Sequence, residues 1–230
     1  MRRIGLLLML VILCRAAYAE QEQAVSAPAG ESAKPAPTLR ITQFKDGRDY
    51  FSYQEPLPQP ARSDKKILIQ FFFDYDCRVC SLAQDILTLY SQINADKVIL
   101  LESPVATEKA SGGATVFFTL QALQAGAVSD LLLFESSEKQ RFIELSRFAD
   151  LIVWLNAQKV DTEAFKKLYA SAEIRAKVRD AIKMTEDYGV FTYPYVIVGG
   201  KYVLTASTLY NDDYSFAVLD FLMTKLTQGK

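Results

Sequence analysis

A strand, a helix and a second strand follow one another within about 35 residues, and this order constrains the fold more than any other feature. Ile67–Phe73 is a nearly continuous apolar run with β-branched and aromatic residues, which indicates a strand buried on both faces of a sheet. Apolar residues then recur at helical spacing from Leu82 to Ile93, and Val98–Leu101 is a second short apolar strand. The pattern predicts a βαβ unit and therefore an α/β fold.

A long helical block follows this unit. Residues 111–188 show helical periodicity almost throughout. One apolar stripe is predicted to contain Phe142, Leu145, Phe148, Ile152 and Leu155. Asp161 and Ser171 are the expected N-caps of two further helices. The second of these helices has four apolar residues on one face: Ile174, Val178, Ala181 and Ile182.

The pattern then changes to a β-hairpin and a closing helix. Tyr195–Val198 and Lys201–Leu204 are two short apolar runs, and Gly199 and Gly200 between them supply the positive φ angles of a tight turn. Asn211 is the expected cap of a final amphipathic helix that continues to about residue 226. The sequence therefore predicts β-α-β, a helical block, a hairpin and a last helix.

The first 19 residues have the features of a secretory signal peptide. A basic start at residues 1–3 is followed by the apolar run Ile4–Cys14 and then by Ala17-Tyr18-Ala19, which is typical of a cleavage site. The apolar run is shorter than the roughly 20 residues that a membrane-spanning helix needs. We therefore expect cleavage after Ala19 and export to an oxidising compartment.

Residues 20–38 are rich in Ala, Pro, Ser and Glu and contain almost no bulky apolar side chain, so they are predicted to form a flexible tether. Residues 39–230 are predicted to form one folded domain, with a helical insertion at about 108–188. The whole chain carries a net charge of -1. Cleavage removes three arginines and no acidic residue, which leaves 23 basic and 27 acidic residues and a net charge of -4.

These counts exclude several classes of function. A weakly acidic chain lacks the basic surface that nucleic-acid binding requires. The sequence contains no histidine, which excludes Ser-His-Asp and Cys-His triads and every metal site that needs imidazole. Cys14 leaves with the signal peptide, so Cys77 and Cys80 are the two cysteines of the mature chain. Any thiol chemistry must therefore proceed without a histidine partner.

Cys77 and Cys80 lie where the predicted strand ends and the helix begins. Backbone N–H groups at a helix N-terminus favour a thiolate, which is the nucleophile of disulfide exchange. We expect Cys77 to be the exposed, attacking sulfur and Cys80, one turn further along, to resolve the mixed disulfide. Arg78 should stabilise a thiolate at Cys77, whereas Asp76, and to some extent Asp74, should oppose it.

Three other interpretations of the cysteine pair are weaker. Structural zinc needs four ligands, and the mature chain offers two thiols and no imidazole, so we expect no metal and no cofactor besides the disulfide. A structural disulfide in a CxxC motif closes a very short loop and constrains the unfolded chain little. Two unrelated core cysteines are not expected at a strand-to-helix corner.

Taken together, these motifs resemble the DsbA family of periplasmic thiol:disulfide oxidoreductases. The resemblance rests on residues 72–80, on the helical block, and on Tyr188–Val190 leading through Pro194 to Val198–Tyr202. It implies a thioredoxin fold with a helical insertion domain, a cis Tyr193–Pro194 bond beside the CxxC motif, and oxidation of secreted polypeptides in the periplasm. It also implies reoxidation by a DsbB-like, quinone-linked membrane oxidase.

The resemblance also assigns substrate-binding residues and shows three departures. In the family, the residue before the cis-proline holds extended substrate through its backbone, which corresponds to Tyr193 with Thr192 and Pro194 beside it. The usual Pro-His dipeptide is replaced by Arg78-Val79, so these two residues and Asp76 are the candidates for tuning the thiolate. The buried acid six residues before the first cysteine is replaced by Phe71, and Tyr193 is bulkier than the common Val or Thr.

Three hypotheses of function follow. The first is a periplasmic disulfide oxidase that acts as a monomer on secreted proteins with cysteines. The second uses the same chemistry in a disulfide reductase or isomerase, which would usually dimerise. The third is a non-catalytic thioredoxin-like chaperone or assembly module that uses the cysteines for stability.

Overall fold

The computed structural model describes residues 44–59 and 65–228. The predicted signal peptide, the predicted tether and the first residues of the predicted domain lie outside this part of the chain. No helix within the described ranges is long and apolar enough to cross a membrane.

Five strands of the described chain form one mixed sheet in the order β1-β5-β4-β2-β3. Their bounds are β1 Phe51–Ser52, β2 Ile67–Phe73, β3 Val98–Pro104, β4 Tyr195–Val198 and β5 Tyr202–Thr205. Strand β2 is parallel to β3 and antiparallel to β4, and β4 and β5 form an antiparallel hairpin. The predicted βαβ unit and hairpin are confirmed, and β3 extends three residues beyond its predicted end.

Eight helices accompany the sheet in the described ranges. Their bounds are α1 Cys80–Ile93, α2 Gly112–Ala122, α3 Gly126–Ser136, α4 Lys139–Leu145, α5 Phe148–Ala157, α6 Thr162–Tyr169, α7 Ala172–Asp187 and α8 Asp212–Gln228. Helix α1 joins β2 to β3, whereas α2 to α7 all lie between β3 and β4. Strands β3 and β4 flank β2 in the sheet, and the helical block lies between these two strands in the sequence.

Strand β2 is buried on both faces, as its apolar sequence predicts. Phe71 and Phe73 pack into the main apolar cluster with residues of α1, α2 and α8, whereas Phe72 packs into a second cluster with Ile197 and Val203. The three phenylalanines are 0–1% exposed. Because successive side chains of a strand point to opposite faces, this one strand anchors both layers around the sheet.

The predicted N-caps are confirmed. The Asp161 carboxylate accepts hydrogen bonds from the backbone N–H groups of residues 163 and 164, and the Ser171 hydroxyl accepts one from residue 174. The Asn211 side chain accepts a hydrogen bond from the backbone N–H of residue 214 at 3.0 Å. Gly199 and Gly200 have φ angles of 60° and 69°, as the tight hairpin turn requires.

The continuous stripe predicted from Phe142 to Leu155 is wrong. Helix α4 ends at Leu145 and α5 begins at Phe148. Arg147 has extended φ and ψ angles of -82° and 120°, which interrupt the helix. Apolar residues keep nearly the same spacing across the break, so periodicity alone does not reveal it.

Candidate active site

The two cysteines lie in the loop from β2 to α1 and are joined by a disulfide, with their Cα atoms 5.3 Å apart. The backbone N–H of Cys77 donates to the carbonyl oxygen of Asp74 at 3.0 Å, and that of Cys80 donates to the carbonyl of Cys77 at 3.4 Å. Helix α1 begins at Cys80, with no side-chain cap and no acidic residue in its first turn. Cys77 therefore precedes a helix N-terminus, where the positive end of the helix dipole favours negative charge.

The prediction that Cys77 is exposed is wrong for the disulfide form. Cys77 is 2% exposed and Cys80 is 0% exposed, and both belong to the main apolar cluster. Cys77 belongs to the same buried cluster as Tyr75, whereas Asp76 and Arg78 on either side of it are exposed. Burial thus does not distinguish an attacking from a resolving sulfur in this state.

The three residues predicted to tune the thiolate all lie at the surface around the disulfide. Asp76 and Arg78 are exposed on either side of Cys77, and Val79 is 44% exposed at the N-cap of α1. Asp74 lies further back, where its carboxylate accepts a hydrogen bond from the backbone N–H of Asp76 at 3.1 Å. Burial, and secondarily the charge of Asp76, raises the pKa of the Asp74 carboxyl.

The predicted substrate-binding residues form the loop before β4. The Tyr193–Pro194 peptide bond is cis. Pro194 is buried, Thr192 is half-buried, Tyr193 is 36% exposed and Phe191 is 85% exposed. Burial raises the pKa of Tyr193, and the charges of Asp74 and Asp76 raise it further, so the tyrosine lies close to the loop that precedes Cys77. The structure therefore brings the two predicted parts of the site together.

A hydrogen-bond network that the sequence did not reveal anchors the proline loop. The Tyr53 hydroxyl donates to the carbonyl oxygen of Tyr188 at 2.6 Å and lies 3.0 Å from the Tyr195 hydroxyl. The ring of Tyr195 packs edge-on against Phe191, with 5.8 Å between centroids. Tyr53 is more than 130 residues from its partners, so no local motif could indicate this contact.

Two acidic residues lie behind the cysteine loop, although the family's usual acidic position is the fully buried Phe71. Phe71 pairs in register with Glu102 on β3. The Gln84 side-chain amide donates to Glu102 at 2.6 Å and to Asp130 at 2.9 Å. Burial raises the pKa of both carboxyl groups, so both hold a proton more readily than an exposed acid. Within the described ranges, no group of three or more His, Cys, Asp or Glu side chains is placed to bind a metal ion.

Comparisons of sequence relate the chain to thiol:disulfide interchange proteins. No protein-family model matches the chain. An uncharacterized protein of Haemophilus influenzae is 58% identical over 192 residues, which cover 84% of this chain and 82% of that protein. The thiol:disulfide interchange protein DsbA of Bordetella pertussis is 24% identical, and the match covers 77% of this chain and 83% of the relative.

Solved structures of DsbA proteins share the fold of this chain. The crystal structure of Pseudomonas aeruginosa DsbA superposes with a TM-score of 0.69 at 22% identity, covering 81% of this chain and 96% of the other. The predicted thioredoxin fold with a helical insertion is thereby confirmed.

Proposed function

We propose that this chain, which is similar to DsbA thiol:disulfide oxidoreductases in sequence and fold, introduces disulfide bonds into secreted polypeptides in the periplasm. The observation that carries the proposal is the Cys77–Cys80 disulfide at the start of α1, next to the loop that contains cis-Pro194. The predicted signal peptide and the periplasmic relatives support the location.

Disulfide exchange takes place in two steps. A client thiolate attacks the Cys77 sulfur, the Cys77–Cys80 bond breaks, and its electron pair leaves on the Cys80 sulfur, which takes up a proton. A second client thiolate then attacks the client sulfur of the mixed disulfide, and Cys77 leaves as a thiolate. The client loses two electrons, and the protons of its two thiols pass to the solvent. The protein gains the two electrons, and it reaches the dithiol form when the Cys77 thiolate also takes up a proton.

The remaining site residues act on these two steps. The amides at the start of α1 and the Arg78 charge stabilise the Cys77 thiolate, and Asp76 opposes it. Val79, which stands where the family has histidine, supplies no charge to the thiolate. Tyr193, with Thr192 and Pro194, holds the client backbone. No cofactor besides the disulfide is required. The protein acts as a monomer, and a DsbB-like, quinone-linked membrane oxidase returns the dithiol to the disulfide.

The direction of electron flow is tested by the reduction potential of the Cys77–Cys80 pair, measured against glutathione buffers. We expect a value well above that of thioredoxin, about -270 mV. A value below thioredoxin's would overturn the oxidase proposal and favour a reductase. A dimer in size-exclusion chromatography would favour an isomerase.

A variant with serine at both cysteines tests whether the pair is catalytic. In a host strain that lacks the gene, we expect Cys77→Ser with Cys80→Ser to leave secreted proteins with reduced cysteines. The wild-type gene restores their disulfides. Full restoration by the double variant would indicate a non-catalytic chaperone or assembly role instead.

A further inference from the structure

A cavity of about 330 Å³ lies between the cysteine loop and the helical insertion, and we call it the loop–helix cavity. One side is formed by Asp74, Tyr75 and Asp76, which directly precede Cys77, and by Tyr193, which precedes cis-Pro194. The helical insertion forms the rest of the lining, with Ser136 and Ser146 and with mostly apolar residues: Val116, Leu132, Phe142, Leu145, Leu151 and Tyr169. The cavity thus adjoins both loops that a client segment would contact during exchange.

Two glycines at the start of α2 keep this cavity open. A Cβ atom at Gly113 would lie 3.2 Å from a carboxylate oxygen of Asp74. A Cβ atom at Gly112 would meet no atom within 4 Å, although Gly112 lines the cavity. A larger side chain at Gly112 can therefore grow into the cavity without a clash at Cβ.

The two charged side chains that line the cavity, Asp74 and Asp76, are both acidic. Among the described residues, neither Asp74 nor Asp76 forms an ion pair, and Arg147, next to the cavity-lining Ser146, is bound to Asp150 at 2.6 Å. Both carboxylates line the same cavity as Tyr193. Carboxylates and an aromatic ring beside apolar walls are complementary to a long side chain that has an apolar stem and a cationic end.

We propose that the loop–helix cavity receives a lysine or arginine side chain from the client segment that forms the mixed disulfide with Cys77. The aliphatic stem lies against the walls from the helical insertion, and the cation lies between the two carboxylates and the Tyr193 ring. This inference rests on the proposed exchange function. It names the class of client: reduced cysteines with a basic residue close by in the same segment.

The test uses the full-length oxidised protein and short synthetic peptides with two cysteines. Each position flanking the first cysteine carries in turn lysine, norleucine, serine or glutamate, and norleucine matches the lysine stem without its charge. The rate of loss of the Cys77–Cys80 disulfide is followed by acid quenching, alkylation and mass spectrometry. At one flanking position we expect lysine to react about tenfold faster than norleucine at low ionic strength, because an ion pair and a cation–π contact each contribute a factor of a few.

Three variants test whether the preference for lysine over norleucine depends on the cavity. Gly112→Leu fills the space and should reduce the lysine-to-norleucine ratio to about one. Gly126→Leu makes the same change at the first position of α3, outside the cavity lining, and should keep the ratio. Asp76→Asn is a second variant at an exposed position where folding is not at risk, and it should lower the ratio about threefold.

The outcomes separate this inference from the proposed function. Equal rates for lysine and norleucine at every flanking position overturn the inference while exchange itself stands. A faster reaction of norleucine means that the cavity selects apolar residues and also overturns it. If the Cys77–Cys80 disulfide reacts with neither the peptides nor dithiothreitol, the proposed function fails and the inference fails with it.

Discussion

Asp49 and Asp74 are both withdrawn from solvent, but their surroundings differ in charge. Asp49 is 4% exposed and accepts hydrogen bonds from the Arg48 guanidinium, from the Tyr214 hydroxyl at 2.6 Å and from the Lys45 backbone N–H at 2.7 Å. Asp74 accepts a hydrogen bond from the Asp76 backbone and forms no ion pair among the described residues.

This difference in charge indicates different roles: Asp49 stabilises the fold, whereas Asp74 lies at the reactive site. Asp49 links the segment before β1 to helix α8, where its bonds to Arg48 and Tyr214 hold its pKa well below the usual range. Burial raises the pKa of Asp74 instead. A buried carboxylate with partners stabilises the native state, whereas one without a cation destabilises it and remains available to a ligand.

The largest effect should come from Asp49→Asn, which keeps the shape and removes the charge. We expect the free energy of unfolding at pH 7 to fall by about 2 kcal/mol, since charge-assisted hydrogen bonds to a guanidinium and a hydroxyl are lost. Urea denaturation followed by circular dichroism measures the change. Asp96→Asn, at an exposed position in the turn between α1 and β3, is the control and should leave the stability unchanged. If Asp49→Asn leaves the free energy of unfolding unchanged, Asp49 does not stabilise the fold in the way that the comparison requires.

The same substitution at Asp74 should have the opposite sign. Asp74→Asn keeps an oxygen that can accept the Asp76 N–H and removes a half-buried charge that has no cationic partner. We expect the free energy of unfolding at pH 7 to rise by up to about 1 kcal/mol. The same urea experiment measures it. A loss comparable to that of Asp49→Asn would show that Asp74 has a stabilising partner after all.

The two variants should also respond differently to pH. The ordinary carboxyl pKa of both residues is 3.8. The pKa of folded Asp49 is lower, so its stabilisation is complete above this value and is lost as the pH falls below it. The pKa of folded Asp74 is higher, so its ionisation costs stability at neutral pH. This cost decreases as the pH falls towards 3.8 and is lost below that value.

Urea denaturation at pH 7 and at about pH 4 distinguishes these signs. Between the two values, the loss in Asp49→Asn should stay nearly constant, and the gain in Asp74→Asn should become smaller. A gain in Asp74→Asn of the same size at both pH values would mean that it does not arise from the carboxylate charge.

The sequence predicted those parts of the molecule that depend on local patterns. The strand Ile67–Phe73 and the caps Asp161 and Ser171 follow from periodicity and from side chains that bind their own backbone neighbours. The break at Arg147 was missed because the apolar spacing continues across it. Residue type and spacing also placed the disulfide at the end of β2.

The remaining parts of the site depend on contacts between distant segments. The burial of Cys77 results from packing in a cluster drawn from the whole fold, and the bond from Tyr53 to Tyr188 spans 135 residues. Likewise, the loop–helix cavity exists because the helical insertion lies over the cysteine loop. No single stretch of sequence contains that information, so these features required the structure.

The smallest effects should come from the exposed charges beside Cys77, and they extend the comparison from stability to redox chemistry. Asp76→Asn removes a negative charge that opposes the thiolate of the reduced form, so the reduction potential should rise by about 10 mV. Arg78→Gln removes a favourable charge and should lower the potential by a similar amount. Both shifts should shrink in high salt, because exposed charges are screened.

Equilibration with glutathione measures both reduction potentials. Asp213→Asn is the control, and its reduction potential should equal that of the wild type. The signs must be opposite, because the two side chains flank the same sulfur with opposite charges. Shifts of the same sign would show that the variants alter the packing of the disulfide rather than the field at Cys77. Opposite shifts would mean that this chain, without histidine, sets its potential by the balance of Arg78 against Asp76 at the N-terminus of α1.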